Sequence, residues 1–181
     1  MARMISSLKL AGRIAACGIC KIKSWLRWKM RTFELNVFID CPRSEVYDHI
    51  SNPINMIGLQ PLLTTIDVMK EQKDENGIVL RPFYTVETFR LFGLPIFRNR
   101  IYSVIHLTKP IEELEFHVHS RPNIHLIFNY ALNQHKDKRT HIKQTVNFLQ
   151  VSKILENVVV NQANQAQRAL LSNLKVRLEK K

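Results

Sequence analysis

The feature that most constrains the fold is a long alternation of candidate strands and short turns that ends in one helical segment. The candidate strands are residues 63–72, 78–90, 96–107, 113–120, 124–133 and 140–151. Their connections are rich in Gly, Pro, Asn and Asp, and they are too short for a parallel crossover, so neighbouring strands must be antiparallel. Residues 152–179 contain no Gly or Pro and predict a long helix.

A strand and two short helices are predicted before this alternation. Apolar residues alternate over residues 33–40, as in a half-buried strand. Pro42 suits the first position of a short helix, which should end at Ser51, two residues before Pro53. The run "INMIGLQPLL" allows one more short helix. This order predicts an α+β fold, in which a curved antiparallel sheet of about seven strands surrounds the C-terminal helix.

Two stretches resemble a known superfamily. The stretch "FELNVFIDCPRSEVYDHISNPINM" is similar to the first strand and the following helix and bend of the START, Bet v 1 and polyketide cyclase/dehydrase (SRPBCC) superfamily. "THIKQTVNF" leading into "ANQAQRALLSNLK" resembles its last strand and long helix. The resemblance covers residues 33–181 and implies a helix-grip fold with an internal cavity. Because the superfamily includes lipid and sterol carriers, receptors and cyclases, it does not select one function.

The long helix carries Ala163, Ala166 and Ala169 among Gln and Asn residues. Small side chains leave room for a ligand and amides can bind its polar group, but Ala also permits close packing in a solid core. The residues alone leave both interpretations open, and the resemblance favours a cavity. The predicted ligand-binding residues are Tyr84, Tyr102, Phe116, Phe128, Tyr130, Gln144, Gln162 and Ala166. The predicted function is binding or transport of a hydrophobic small molecule that is lipid-, sterol- or isoprenoid-like.

The alternative is a cyclase or dehydratase that acts on a polyketide-like or aromatic substrate in the same cavity. Its candidate polar residues are Tyr84, Tyr102, Tyr130 and Gln144. General acid–base catalysis needs two titratable groups in one cleft, and the pattern places no carboxylate there with certainty. The sequence has no Gly-rich phosphate loop, nucleophile elbow or H-E-x-x-H motif. A non-catalytic role is therefore favoured, and no cofactor is predicted.

His117, His119 and His125 are predicted on the opposite face of the sheet from the apolar residues. Three imidazoles can bind Zn²⁺, but no carboxylate or Cys is clearly placed to complete the site. Exposed polar residues on a convex face are the favoured interpretation, and no metal site is predicted.

The N-terminal segment concentrates positive charge. Residues 1–33 hold eight cations and no acid, whereas the rest of the chain holds 19 cations and 15 acids. Apolar residues recur there every three or four positions, which is typical of an amphipathic helix on a membrane surface. The predicted membrane-binding residues are Lys23, Trp25, Arg27 and Trp28. The longest uncharged run, residues 14–20, is too short to span a bilayer. The predicted division is an extension over residues 1–32 and a ligand-binding domain over residues 33–181.

Two other interpretations of this segment remain open: a mitochondrial or plastid transit peptide, and a solvated leader with no function of its own. The three Cys residues are too few and too close to one end for a disulfide framework, which favours an intracellular, reducing compartment. The predicted location is the surface of a membrane, a mitochondrion or a plastid. If none of these applies, the predicted location is the cytoplasm. Because the domain itself is nearly balanced in charge, nucleic acid is not a predicted partner.

Overall fold

The computed structural model describes residues 31–61, 63–91, 94–121, 123–135 and 138–180, without the side chains of residues 89–91 and 97. The elements in chain order are β1 (Arg31–Ile39), α1 (Arg43–Ser51), a 3₁₀ helix (Pro53–Met56), β2 (Leu63–Val68), β3 (Gln72–Lys73), β4 (Val79–Leu91), β5 (Leu94–Lys109), β6 (Glu113–Ser120), β7 (Ile124–Gln134), β8 (Thr140–Gln150) and α2 (Glu156–Glu179).

All strands belong to one antiparallel sheet with the order β1-β8-β7-β6-β5-β4-β2, and β3 pairs with β4. Strands β4 to β8 form a meander through short turns, as the turn chemistry predicts. Strand β1 closes the far edge by pairing with β8, where Leu35 lies opposite Gln144. The predicted α+β helix-grip fold is confirmed.

The largest differences from the predicted element boundaries are at two places. The strand predicted over residues 63–72 is two strands, because pairing with β4 stops at Val68 and resumes at Gln72. The long helix begins at Glu156 instead of residue 152. The preceding residues form a turn in which the Leu155 N–H donates to the Ser152 carbonyl at 2.9 Å.

Alternation in β6, β7 and β8 places one apolar row on the concave side of the sheet. Every second residue of β7 from Ile124 to Leu132 is buried, and so is every second residue of β8 from Thr140 to Phe148. This agrees with the predicted parity. Because the side-chain period of a strand is two residues, these alternate positions lie on one face of the sheet.

The 3₁₀ helix and the residues after it pack against the C-terminal half of α2. In α2, Asn173 Nδ2 donates to the Leu59 carbonyl at 2.8 Å, and Arg177 donates to the carbonyls of Asn55 and Ile57 at 2.6 and 2.8 Å. Gly58 lies between these carbonyls with a φ of +78°, a backbone conformation that favours glycine. These bonds hold the segment after α1 against the helix and close one end of the interior.

No helix in the described ranges is long and apolar enough to cross a membrane. The predicted membrane-binding residues Lys23, Trp25, Arg27 and Trp28 lie outside those ranges, so their role stays a prediction.

Candidate functional site

A cavity lies between the concave face of the sheet and α2. The volume of this cavity is about 130 Å³. Its apolar lining residues are Met56, Leu63, Phe83, Ile101, Phe116, Val118, Ile124, Leu126, Phe128, Val159, Ala163, Ala166 and Leu170. Its polar lining residues are Gln60, Thr85, Glu87, Asn99, Ser103, Ser120, Tyr130, Gln162 and Gln167. Apolar walls with a few polar groups are the usual make-up of a small-molecule site.

Five of the predicted ligand-binding residues line this cavity. They are Phe116, Phe128, Tyr130, Gln162 and Ala166. A sixth, Gln144, is fully buried beside the cavity and faces Tyr130 across the β7–β8 pair. The structure therefore brings these six residues together, and their role in binding stays a prediction.

The other two predicted ligand-binding residues, Tyr84 and Tyr102, do not line the cavity. Phe83 and Thr85 of β4 and Ile101, Ser103 and Ile105 of β5 are buried on the concave side, so Tyr84 and Tyr102, at the alternate positions, face outward. The two tyrosine rings lie opposite each other on the convex face with centroids 5.2 Å apart. The Arg100 guanidinium covers the Tyr84 ring at 4.1 Å, in a cation–π contact.

A buried hydrogen-bond network lies at the Tyr130 side of the cavity. The Tyr130 hydroxyl and Gln144 Nε2 both donate to Gln167 Oε1, at 3.2 and 2.7 Å. Burial raises the pKa of the Tyr130 phenol far above its usual value, and a hydrogen bond with Gln144 opposes this rise. Tyr130 therefore stays a neutral hydrogen-bonding group. Sequence reasoning missed Gln167, because Gln and Asn recur on several faces of this part of α2.

Glu87 is a second residue that sequence reasoning missed, and it is the carboxylate of the cavity. It lies on β4 in the same inward row as Phe83 and Thr85, and Gln60 Nε2 donates to its Oε1 at 3.0 Å. Burial raises the pKa of Glu87 to about 7, and the Gln60 hydrogen bond opposes this rise. A group that titrates near neutral pH inside a cavity marks a candidate functional residue. The sequence of β4 carries no clear signal for Glu87, because both of its faces mix apolar and polar residues.

The convex face carries a row of stacked imidazoles. His119 stacks on His125 and His106 stacks on His117, each with ring centroids 4.0 Å apart. Burial lowers the pKa of His125, and the neighbouring His119 and His117 lower it further. Among the described residues, no group of His, Cys, Asp or Glu has a metal-binding arrangement.

The arrangement can enclose an apolar molecule and offer it hydrogen-bonding partners. Two titratable groups, Glu87 and Tyr130, line it. It contains no Lys, Arg or His among the lining residues whose side chains are described.

Comparison by sequence gives no match to a protein-family model and no significant match to a curated protein. Comparison by structure gives several matches. The aromatase/cyclase Zhui from a Streptomyces species is 15% identical, with a TM-score of 0.62 over 82% of this chain and 95% of that chain. A START superfamily protein from Mycobacterium smegmatis is 9% identical, with a TM-score of 0.63 over 82% of this chain and 97% of that chain.

The di-domain ARO/CYC StfQ of the steffimycin biosynthetic pathway is 9% identical, with a TM-score of 0.61. That match covers 82% of this chain and 44% of StfQ. At these identities the likeness establishes the fold and leaves the activity open. The sheet order, the long C-terminal helix and these matches together show that the chain has the START/Bet v 1-like (SRPBCC) fold.

Proposed function

We propose that the chain binds a hydrophobic small molecule in the cavity between the sheet and α2. The observation that carries this proposal is the cavity itself, which has mostly apolar walls and a few polar groups. If α2 only covered a solid core, no such space would remain, because protein interiors are closely packed.

The size of the cavity favours a compact ligand. Its volume of about 130 Å³ lies below the range of roughly 300–1,000 Å³ that is common for pockets enclosing a drug-sized molecule. A sterol or a two-chain lipid would require α2 or the β4–β5 hairpin to move outward. We therefore propose a ligand of one or two rings, or a short isoprenoid-like chain.

Filling the cavity tests this proposal. Ala166 is 8% exposed and lines the cavity, so an Ala166→Phe side chain would occupy the ligand's space. We expect the affinity for a two-ring probe, 2-naphthol, to fall at least about tenfold, because one overlapping ring removes the whole apolar contact. Isothermal titration calorimetry of the purified chain measures this.

The matched control is Ala169→Phe, on the same helix but outside the lining. This variant should bind 2-naphthol like the unmodified chain. Circular dichroism shows whether each variant is folded, since overpacking can cost about 1–3 kcal/mol. Equal affinity in the Ala166→Phe variant and the unmodified chain would place the ligand elsewhere and overturn the proposal.

A second candidate function is an enzyme that acts on an aromatic or polyketide-like substrate, and Glu87 is the observation that favours it. With its pKa raised to about 7, Glu87 can accept or release a proton near neutral pH. Two of the similar structures are aromatase/cyclases. Mass spectrometry of the co-purifying molecule before and after incubation with the purified chain distinguishes the functions, because a carrier returns its ligand unchanged and an enzyme releases a different product.

We propose in addition that an anionic membrane surface is a partner. Leu94, Ile96 and Ile154 are 66%, 55% and 90% exposed, and they lie where β4–β5 turns and where β8 leads into α2. These two turns are at the same end of the sheet, since β4 and β8 both finish there. Apolar side chains at one end of a domain suit shallow insertion among lipid headgroups.

Neutralising charge in the N-terminal segment tests this partner. For Lys23→Gln/Arg27→Gln we expect binding to phosphatidylserine-containing vesicles to fall about thirtyfold, because each cation near such a surface contributes about 1 kcal/mol. Vesicle flotation measures the bound fraction. The control Lys70→Gln/Lys73→Gln removes the same charge from exposed positions of the domain. An equal loss in both variants would indicate attraction by overall charge and would contradict a specific role for the segment.

A further inference from the structure

Several hydrogen-bond donors around the cavity are paired within the protein. Gln60 Nε2 donates a hydrogen bond to Glu87 Oε1. Asn99 Nδ2 donates to Ser120 Oγ at 2.6 Å and to the Arg121 carbonyl at 3.2 Å. Gln144 Nε2 and the Tyr130 hydroxyl both donate to Gln167 Oε1. These four donor groups are thus paired within the protein.

Some of the hydrogen-bond acceptors in and beside the cavity lack a donor. Gln162 lines the cavity, and its Oε1 is buried without a hydrogen-bond partner in the described structure. Gln144 Oε1, behind the lining, is also without one. Glu87 accepts from Gln60 through Oε1, and no described residue donates to its Oε2. Buried acceptors without donors are costly, so a ligand that supplies donors gains free energy that an apolar ligand cannot.

The charge of the cavity points the same way. Glu87 is the one carboxylate among the described lining residues, and none of those residues is Lys, Arg or His. A ligand carboxylate or phosphate would place a second negative charge in the same apolar enclosure with no cation to balance it. Like charges brought together in a low-dielectric site repel strongly, whereas an ammonium or hydroxyl donor would pair with Glu87.

We infer that the cavity selects a compact, largely apolar molecule that carries an amine or a hydroxyl, and that it rejects an equally sized carboxylate. This inference rests on the proposed function and adds the chemical class of its ligand. In this inference Glu87 binds the polar group of the ligand. Gln60 orients the Glu87 carboxylate through its hydrogen bond at 3.0 Å.

Three probes with the same two-ring body test the inference: 2-naphthylmethylamine, 2-naphthol and 2-naphthoate. Isothermal titration calorimetry of the full chain at about pH 8 keeps most of Glu87 ionised, given its pKa of about 7. We expect the amine to bind at least about tenfold more tightly than the carboxylate, because it gains a charge-assisted hydrogen bond and avoids repulsion. Glu87→Gln should reduce this ratio to within about threefold, whereas Glu75→Gln, an exposed carboxylate in a turn, should preserve it.

Each result bears on a different proposal. Equal binding of the amine and the carboxylate to the unmodified chain would overturn the inferred selectivity and leave hydrophobic binding supported. A preference that persists in Glu87→Gln would overturn the role of Glu87. If none of the three probes binds, the proposed function fails for ligands of this size, and the inference fails with it.

Discussion

Replacing Glu87 with Gln is expected to stabilise the protein by about 3 kcal/mol at about pH 8 and to change nothing at about pH 4. The pKa of Glu87 is raised from 4.5 to about 7 in the folded chain. Each unit of difference between the folded and unfolded pKa corresponds to about 1.4 kcal/mol, so burying the ionised form costs about 3 kcal/mol. Gln has nearly the same shape and carries no charge, which removes this cost.

The pH dependence follows from the direction of the shift. Between pH 4.5 and about 7 the folded chain holds the Glu87 proton and the unfolded chain releases it. The unfolded state therefore binds fewer protons in this window, and the stability of the unmodified protein falls as the pH rises through it. Below the window the carboxyl is protonated in both states, so the two proteins should be equally stable.

Urea unfolding of both proteins at several pH values measures the difference. Taking the difference removes the contributions of His106 and His125, whose pKa values are also shifted. Glu75→Gln, in an exposed turn, should show no such trend. The prediction would be wrong if Glu87→Gln were less stable than the unmodified protein at high pH. That result would mean that a partner stabilises the ionised carboxylate and offsets the cost of its burial.

Replacing Gln167 with Ala is expected to destabilise the domain by about 3 kcal/mol. Gln167 is 5% exposed, and its Oε1 accepts from both the Tyr130 hydroxyl and Gln144 Nε2. The substitution removes the acceptor that these two donors share, and a buried donor that loses its acceptor costs about 1–3 kcal/mol. Urea unfolding again measures the change.

Gln162→Ala is the matched control for Gln167→Ala. Gln162 lies on the same helix and lines the same cavity, but its Oε1 has no hydrogen-bond partner within the described residues. Its replacement should therefore change the free energy of unfolding by less than about 1 kcal/mol. Similar losses from the two substitutions would show that packing of α2, and not the network around Tyr130, sets the cost.

The sequence by itself determined the architecture. Short turns between the later strands permit only antiparallel neighbours, and a helix without Gly or Pro after the last strand has to cover the apolar side of the sheet. In β6, β7 and β8 most apolar residues occupy one parity, so the sequence alone predicts the inward placement of Phe116, Phe128 and Tyr130. Local periodicity is enough wherever a strand has one clearly apolar face.

Only the tertiary structure decided which residues of β4 and β5 face the cavity. Both parities of β4 mix apolar and polar residues, so Tyr84 was as good a candidate for the interior as Glu87. The choice was made by contacts far apart in the chain, including the hydrogen bond from Gln60 and the packing of α2. The same is true of Gln167, whose partners Tyr130 and Gln144 come from two other strands. Side-chain periodicity assigns a face to a strand, but where both faces are mixed the buried one is set by what packs against it.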